Sequence, residues 1–480
     1  MALCKRLIAR LDIKGSRLIK GVRFEGLRVV GDPWEAAVTY SQAGADELLY
    51  IDAVASLYGR NGLQELLRRT SQQIFVPITA GGGVRSVADA ANLLAAGADK
   101  IAVNTAALQR PEFIAELASE FGSQCVVASI QARRIGNGKW EAMAEAGRER
   151  SGRDVMGWIK QLQQLGAGEL LVTSVDQDGT CKGPDLELLE HVCTEAKVPL
   201  VFGGGFSTAD EVHRVLLEPK VFAVCIGSAL HQKRMNIDDL KINLVSLSEE
   251  LQIRLPPQSV SNSNTTAPPP LEGHQIGIID YGMGNQQSLI NALQFLGANV
   301  ILSALPDELQ TCGLLALPGV GSFPKGMAEL KQRKLDIMLD EWIKKGMPLI
   351  GICLGMQMLF KQSEEFLITS GLGYIEGKVV RLEPLNDRSN PLVLPHLGWN
   401  RLQPGNAALT DSDAFQYFVH SYVATNVNPS FVMYNCIYEE VEFIAGVQMN
   451  NIVGLQFHPE RSGSDGLELL STTCSKLLNP

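Results

Sequence analysis

The N-terminal half of this chain repeats itself at one long interval. Gly44-Ala-Asp-Glu-Leu-Leu-Tyr-Ile-Asp52 is echoed by Gly166-Ala-Gly-Glu-Leu-Leu-Val-Thr-Ser174, an offset of 166 − 44 = 122. Gly81-Gly-Gly-Val84 is echoed by Gly203-Gly-Gly-Phe206, again 203 − 81 = 122, and Asn104-Thr-Ala106 by Gly227-Ser-Ala229, 227 − 104 = 123. That period is too long for a solenoid repeat, and two copies fit a duplicated half-domain. Each copy alternates short β-branched runs with amphipathic stretches such as 86–98 and 208–218, which is βαβ rhythm and implies parallel strands. Two copies of (βα)4 close an eight-stranded barrel of about 250 residues. An open doubly wound sheet is the alternative, and the duplication favours closure.

The rest of the chain needs a second core. At 480 residues it exceeds one ordinary domain. The run from Leu255 to Pro270 is rich in proline, serine and asparagine and lacks an apolar period, so it reads as a tether. Apolar Gln275-Ile-Gly-Ile-Ile279 then opens a new α/β domain. The expected organisation is a (βα)8 TIM barrel over 1–253, a linker over 254–273 and an α/β domain over 274–480. Net charge is −10 without a long basic run, which argues against nucleic acid as a partner. The nine scattered cysteines form no Cys-x-x-Cys, so no disulfide framework and no metal site are expected, and a reducing cytoplasm fits. The N-terminus lacks a signal peptide's apolar stretch. No membrane-length segment occurs, so no membrane partner is expected.

In the second domain, Gly351-Ile-Cys-Leu-Gly355 follows the apolar run Met347-Pro-Leu-Ile350, expected to be a buried strand, and precedes an expected helix over 354–360. A cysteine between glycines at a strand-to-helix turn is a nucleophile elbow. The helix N-terminus favours its thiolate. His458 is placed to be its base and Glu460 to orient the imidazole. Either residue alone would read as ordinary core. Together, Gly-Ile-Cys-Leu-Gly-Met-Gln (351–357) and Gln-Phe-His-Pro-Glu (456–460) resemble the triad of class I glutamine amidotransferases. Asp280-Tyr-Gly-Met-Gly-Asn285, Leu317-Pro-Gly-Val-Gly321, Pro395-His-Leu-Gly-Trp-Asn400 and Phe418-Val-His-Ser-Tyr422 narrow the likeness to the glutaminase subunit of imidazole glycerol phosphate synthase. The resemblance implies that Cys353 attacks the amide of glutamine, releases ammonia, and leaves a thioester for water. Leu354 and the loop Gly319-Val320-Gly321 are the expected sources of oxyanion N–H groups, and Gln357 joins the glutamine site.

In a barrel, chemistry belongs at the C-terminal strand ends. The first strand, Leu7–Leu11, ends at Asp12. Glycine triplets end strands three and seven, and Asn104-Thr105 and Gly227-Ser228 end strands four and eight. Such turns offer backbone N–H groups to phosphate. Gly82, Gly83, Asn104 and Thr105 form one expected phosphate cluster, and Gly204, Gly205, Gly227 and Ser228 the other. A long substrate phosphorylated at both ends follows. Lys20-Gly21, Gly31-Asp-Pro33, Asp46-Glu-Leu48, Gly97-Ala-Asp-Lys100, Asn104-Thr-Ala-Ala107, Phe121-Gly-Ser-Gln124 and Asp176-Gln-Asp-Gly-Thr180 resemble the cyclase subunit of the same synthase. That likeness adds Lys20, Thr173, Asp178 and Gly179 to the substrate site. It implies a reaction of ammonia with a bis-phosphate ribulosyl aminoimidazole, and no cofactor is expected. Arg6, Glu47, Lys100 and Glu169 begin strands, hence sit at the bottom face. By residue type alone they are a solvated ionic rim. By resemblance they are the charges that gate ammonia.

One position departs from the family. Its chemistry uses two aspartates across the barrel, one matching Asp12 and the other following the fifth strand, Val126–Ile130. This chain has Gln131 there. An amide cannot shuttle protons in the accessible pH range. Three readings follow. The chain is an ammonia-dependent cyclase of histidine biosynthesis, with a residue such as Asp178 substituting. Or it is an ammonia donor whose barrel is a conduit, feeding a separate acceptor enzyme such as one that amidates a surface sugar. Or the barrel is a binding module that recognises phosphorylated ligands without catalysis. Under the first two, the partners are glutamine, a phosphorylated acceptor and the other domain of the same chain.

Overall fold

A computed structural model describes residues 3–55, 63–248, 250–256, 269–283, 285–383, 392–410 and 414–479. The chain divides into two compact units. Of the described residues, one comprises those within 3–256 together with 393–398, and the other those within 269–392 and 399–479. Most of the expected tether, 257–268, lies outside the described residues.

The first unit is a closed eight-stranded parallel barrel with flanking helices. Its strands are Arg6–Lys14, Glu47–Asp52, Ile78–Gly81, Lys100–Val103, Val126–Gly136, Glu169–Ser174, Leu200–Gly203 and Val221–Ile226. Each pairs in parallel with the next. The eighth returns to the first with Ala9 opposite Ile226. The open doubly wound alternative is thereby excluded. The duplication reaches the helix starts. Ser86 caps Val87–Ala95 in a capping box with Asp89, and Thr208 caps Ala209–Leu216 with Glu211, at 208 − 86 = 122. The first strand runs from Arg6 to Lys14, so Asp12 lies within it opposite Ile51. The fifth also overruns its expected end, which puts Gln131 inside the strand opposite Thr173. It continues through Lys139–Ala144 and Glu149–Asp154 as an antiparallel extension over the mouth.

Period-two alternation stacks the lumen in layers. On the first strand these are Arg6, then Ile8, then Arg10 and Asp12. Ile8, Leu49, Ala102, Val127, Leu171, Val201, Ala223 and Cys225 form the apolar layer. It separates the buried charges at the strand starts from those at the mouth.

In the second unit, parallel strands Asn299–Ser303, Gln275–Ile279, Leu314–Leu317, Leu349–Ile352 and Ile452–Leu455 lie in that order. The sheet continues antiparallel through Val441–Met449. The helix after Cys353 is shorter than its sequence suggests, Leu354–Met358. Phe360–Ser363 is instead a strand paired with Ile375–Arg381, because Phe360 finds a partner distant in sequence. No helix among the described residues is long and apolar enough to cross a membrane.

Candidate active site

Cys353 sits between the strand Leu349–Ile352 and its short helix with φ 54° and ψ −110°. That conformation costs a non-glycine residue about 1–3 kcal/mol. Local packing enforces it. A Cβ on Gly355 would lie 1.9 Å from the Leu317 carbonyl oxygen, so only glycine lets the helix start this close to the sheet. The Cys353 N–H donates to the Leu455 carbonyl at 2.7 Å, tying the elbow to the strand that leads to His458.

His458 Nδ1 and Glu460 Oε1 are 2.7 Å apart, both side chains buried. His458 Nε2 has no hydrogen bond of normal geometry. Burial alone would lower the imidazole pKa, but Glu460 and the nearby Cys353 sulfur outweigh it and hold the value well above the usual histidine range. The His458–Ser462 turn is pinned from behind. His458 N–H donates to the Tyr417 carbonyl at 2.9 Å, and Tyr417 N–H donates to Ser462 Oγ at 2.9 Å. A thiol, an imidazole and a carboxylate in this order can generate a thiolate nucleophile and later return a proton to a leaving amine.

The residues expected around the triad already carry hydrogen bonds. Leu354 N–H donates to the Gly319 carbonyl at 3.4 Å, so in this state the expected oxyanion donor is engaged by the very loop, Gly319-Val320-Gly321, expected to supply the second. Gln357 is buried and donates to the Tyr422 carbonyl at 3.0 Å and to Gln456 Oε1 at 3.1 Å. Gln456 Nε2 lies 3.8 Å from Cys353 Sγ. Gln357 thus holds Gln456 beside the nucleophile. Gln456 was passed over in the sequence although it lies inside the motif that carries His458.

At the barrel mouth, Asp12 accepts from Lys20 Nζ at 2.7 Å and from Arg10 Nε at 2.8 Å. Lys20 also reaches Asp178 at 3.1 Å. Burial would raise the Asp12 carboxyl, yet Arg10 and Lys20 together hold it well below the usual carboxylate range. The same carboxylates keep the buried Lys20 ammonium above its usual value, against desolvation. Arg10 was missed in the sequence. Its guanidinium crosses the lumen from the first strand to the sixth, where Nη1 donates to Thr173 Oγ1 at 3.2 Å. Gln131, buried with Oε1 unpartnered, is the cross-strand neighbour of that threonine.

The two glycine clusters do line cavities. Gly82, Gly83, Asn104 and Thr105 share one of about 250 Å³ with Gln131. Gly82 has φ +96°, and a Cβ there would meet the Asp52 carbonyl oxygen at 2.2 Å. Asn104 and Thr105 are partly committed to the hairpin above. Asn104 Nδ2 donates to the Met143 carbonyl at 3.0 Å, and Glu145 N–H donates to Thr105 Oγ1 at 3.0 Å. Glu145 lines the cavity too, with one carboxylate oxygen buried and unpartnered, so a phosphate entering here meets a carboxylate. Gly204, Gly205, Gly227 and Ser228 line a second, smaller cavity with Asp178, Gly179 and Arg10, and the buried Ser228 hydroxyl has no partner.

Arg6, Glu47, Lys100 and Glu169 form a closed ring at the strand starts. Arg6 bonds Glu47 at 2.7 Å and also Glu169, and Lys100 bonds Glu47 at 2.8 Å and Glu169 at 2.6 Å. Their side chains are 0–2% exposed, which overturns the solvated rim. Burial would raise the Glu169 carboxyl, but Arg6 and Lys100 lower it below the usual value.

Comparison with known proteins assigns the two units. Residues 6–236 match the family described as histidine biosynthesis protein, and 277–476 match glutamine amidotransferase class-I. The fold and the site thus define a histidine-biosynthesis-type barrel fused to a class-I glutamine amidotransferase domain. Imidazole glycerol phosphate synthase subunit HisF of Legionella pneumophila is 56% identical over 206 residues, 43% of this chain and 97% of the relative. The same subunit of Bacillus cereus strain Q1 is 42% identical over 251 residues, 52% of this chain and 100% of the relative. The chain belongs to the family of imidazole glycerol phosphate synthase subunit HisF, and it is an enzyme of the glutamine amidotransferase and lyase type.

Proposed function

We propose that the chain is a glutamine-dependent imidazole glycerol phosphate synthase on one polypeptide. Cys353 attacks the side-chain amide carbon of glutamine, His458 passes a proton to the leaving nitrogen, and water hydrolyses the thioester to glutamate. The ammonia enters the barrel at the ring of Arg6, Glu47, Lys100 and Glu169. It reacts at the mouth with a bis-phosphate ribulosyl aminoimidazole, giving imidazole glycerol phosphate and aminoimidazole carboxamide ribotide. The observation that carries this reading is the strained Cys353 beside the Glu460–His458 pair, in one chain with a barrel that keeps two glycine-lined cavities at its mouth. Glutamine hydrolysis needs the Leu354–Gly319 hydrogen bond to open, because an oxyanion would require that N–H.

A second reading, an ammonia donor for another acceptor enzyme, is favoured by the mouth itself. Gln131 supplies no proton, Asp12 is held ionised by two cations, and Glu145 occupies one phosphate cavity. One experiment separates the two. Imidazole glycerol phosphate formation is measured with ammonium salt for wild type, Gln131→Asp and Asp12→Asn. The synthase reading expects wild-type turnover that Asp12→Asn abolishes. Gln131→Asp should raise it by about tenfold, modest beside the usual 10²–10⁴ for a general acid or base. A wild type that hydrolyses glutamine but makes no product, with no rescue by Gln131→Asp, replaces the synthase reading with the donor.

A further inference from the structure

A chain of hydrogen bonds behind Cys353 ends on the reacting sulfur, and its polarity is fixed at the far end. The Tyr422 carbonyl oxygen can only accept. It takes the His420 Nδ1–H at 3.0 Å and one N–H of Gln357 Nε2 at 3.0 Å. Gln357 must therefore turn its amide nitrogen, not its oxygen, toward Tyr422. The second N–H of that nitrogen donates to Gln456 Oε1 at 3.1 Å. With its oxygen committed there, Gln456 presents its amide nitrogen on the other side, 3.8 Å from Cys353 Sγ. A flip of Gln357 would set oxygen against oxygen, and a flip of Gln456 nitrogen against nitrogen. Both side chains are buried, so water offers no substitute partner. The backbone fixes both ends. Gln357 N–H donates to the Cys353 carbonyl at 3.1 Å, and Gln456 N–H to the Ala445 carbonyl at 2.9 Å.

We propose that Gln456 is a catalytic residue that donates its side-chain N–H to the Cys353 sulfur as the thiolate forms, and that Gln357 is the positioning residue that keeps this donor turned inward. A thiol sulfur is a weak acceptor, and an ionised acceptor is a stronger one, so the contact tightens as the proton leaves for His458. The buried elbow keeps away the water that would otherwise solvate the anion. An amide replaces that water without adding a charge that competes with the imidazolium. The inference rests on Cys353 being the nucleophile of the function proposed above. Glutamine hydrolysis by Cys353→Ala tests that reading, whereas alkylation of the sulfur needs no glutamine and tests this one.

The experiment is the pH profile of Cys353 alkylation by iodoacetamide on the full chain. It is read at that residue by peptide mass spectrometry, because all nine cysteines are free. Gln456→Met keeps the side-chain length and removes the donor. The rise in alkylation should then move about one pH unit higher, an about tenfold smaller thiolate fraction at a given pH below it. Gln357→Met changes no atom at the sulfur. It releases Gln456 to turn, so it should move the profile the same way by less. With both changed, the shift should not exceed that of Gln456→Met alone, because the two act on one contact. A residue that served only packing would lower the rate of glutamine hydrolysis and leave the profile in place. An unmoved profile in folded Gln456→Met therefore overturns the proposal, and so does a double variant shifted by the sum of the single ones. Where Gln456→Met does not fold, an unmoved profile in Gln357→Met overturns it alone. Glutamine hydrolysis lost with the profile unmoved would make Gln456 a contact for the substrate instead of for the sulfur.

Discussion

Replacing Lys100 with methionine tests the buried ring most directly. The ring holds two cations and two carboxylates with essentially no solvent contact. Lys100 contributes bonds of 2.8 Å to Glu47 and 2.6 Å to Glu169. Without it, two carboxylates share Arg6 and one negative charge is buried unmatched. Breaking a buried pair in this way costs about 3–5 kcal/mol. For a barrel of this size that lowers its thermal transition by roughly 6–20 °C. Lys100→Met combined with Glu47→Gln restores neutrality, and Thr79 can still donate to the new amide oxygen, as it does to Glu47. The double variant should therefore be more stable than the single one. The sign of the pH dependence also reverses. In wild type the Glu169 carboxyl is lowered, so its stabilisation is present above the unfolded value of about 4.3 and is lost as pH falls through the folded value. In Lys100→Met the two buried carboxylates share one guanidinium, so burial and their mutual repulsion favour taking up one proton between them. Stability is then gained as pH falls from neutrality towards 5. Scanning calorimetry, with the other domain's transition as internal reference, measures all three. A drop below about 2 °C, or a double variant worse than the single, would refute a dry, charge-balanced ring.

Three further outcomes are expected. Cys353→Ala should abolish glutamate release from glutamine while leaving any ammonium-driven barrel activity intact, and wild-type glutaminase activity in this variant refutes the assignment. Ser228→Asp sets a carboxylate in the second cavity, so calorimetric affinity for a two-phosphate ligand should fall at least about tenfold, one charge repulsion of roughly 1.4 kcal/mol. Glu460→Gln removes the main group that raises the His458 pKa, so the histidine limb of the glutaminase pH profile should move to lower pH, and an unmoved limb means Glu460 does not face the imidazole in the working enzyme.

The barrel was legible because duplication writes topology into sequence. The offset of 122 aligned the glycine turns, and it also aligned two capping boxes that fix where the helices begin. The Cys353, His458 and Glu460 positions were legible because an elbow and a turn are local. What long-range register decides was not legible. Arg10 reads as an ordinary strand arginine until the alternation from Arg6 is known to point it into the lumen. The helix after Cys353 reads on through Phe360 until Ile375 arrives as a strand partner. Gln357 lies in the right motif, but its partners, Tyr422 and Gln456, come from distant strands.

Arg10 and Gln131 are best understood together, because Arg10 hydrogen-bonds Thr173 and Gln131 is that threonine's cross-strand partner. The resemblance implies two facing aspartates, and position 131 carries an amide instead of the second. The first, Asp12, is neutralised by Arg10 and Lys20. Across the mouth Asp12 and Asp178 balance those two cations, so the group that would move protons is fixed as an anion. A carboxylate so depressed is a weak base, and the nearer its pKa lies to the working pH the better it serves. Arg10, however, also lines the second glycine cavity. On the synthase reading, a substrate phosphate seated beside Ser228 would draw on that guanidinium, weaken its hold on Asp12 and raise the carboxyl towards a useful value. Asp12 would then become a competent base only when substrate is present. On the donor reading nothing releases it, and the same three residues simply hold the mouth shut to proton transfer while the lumen below carries ammonia.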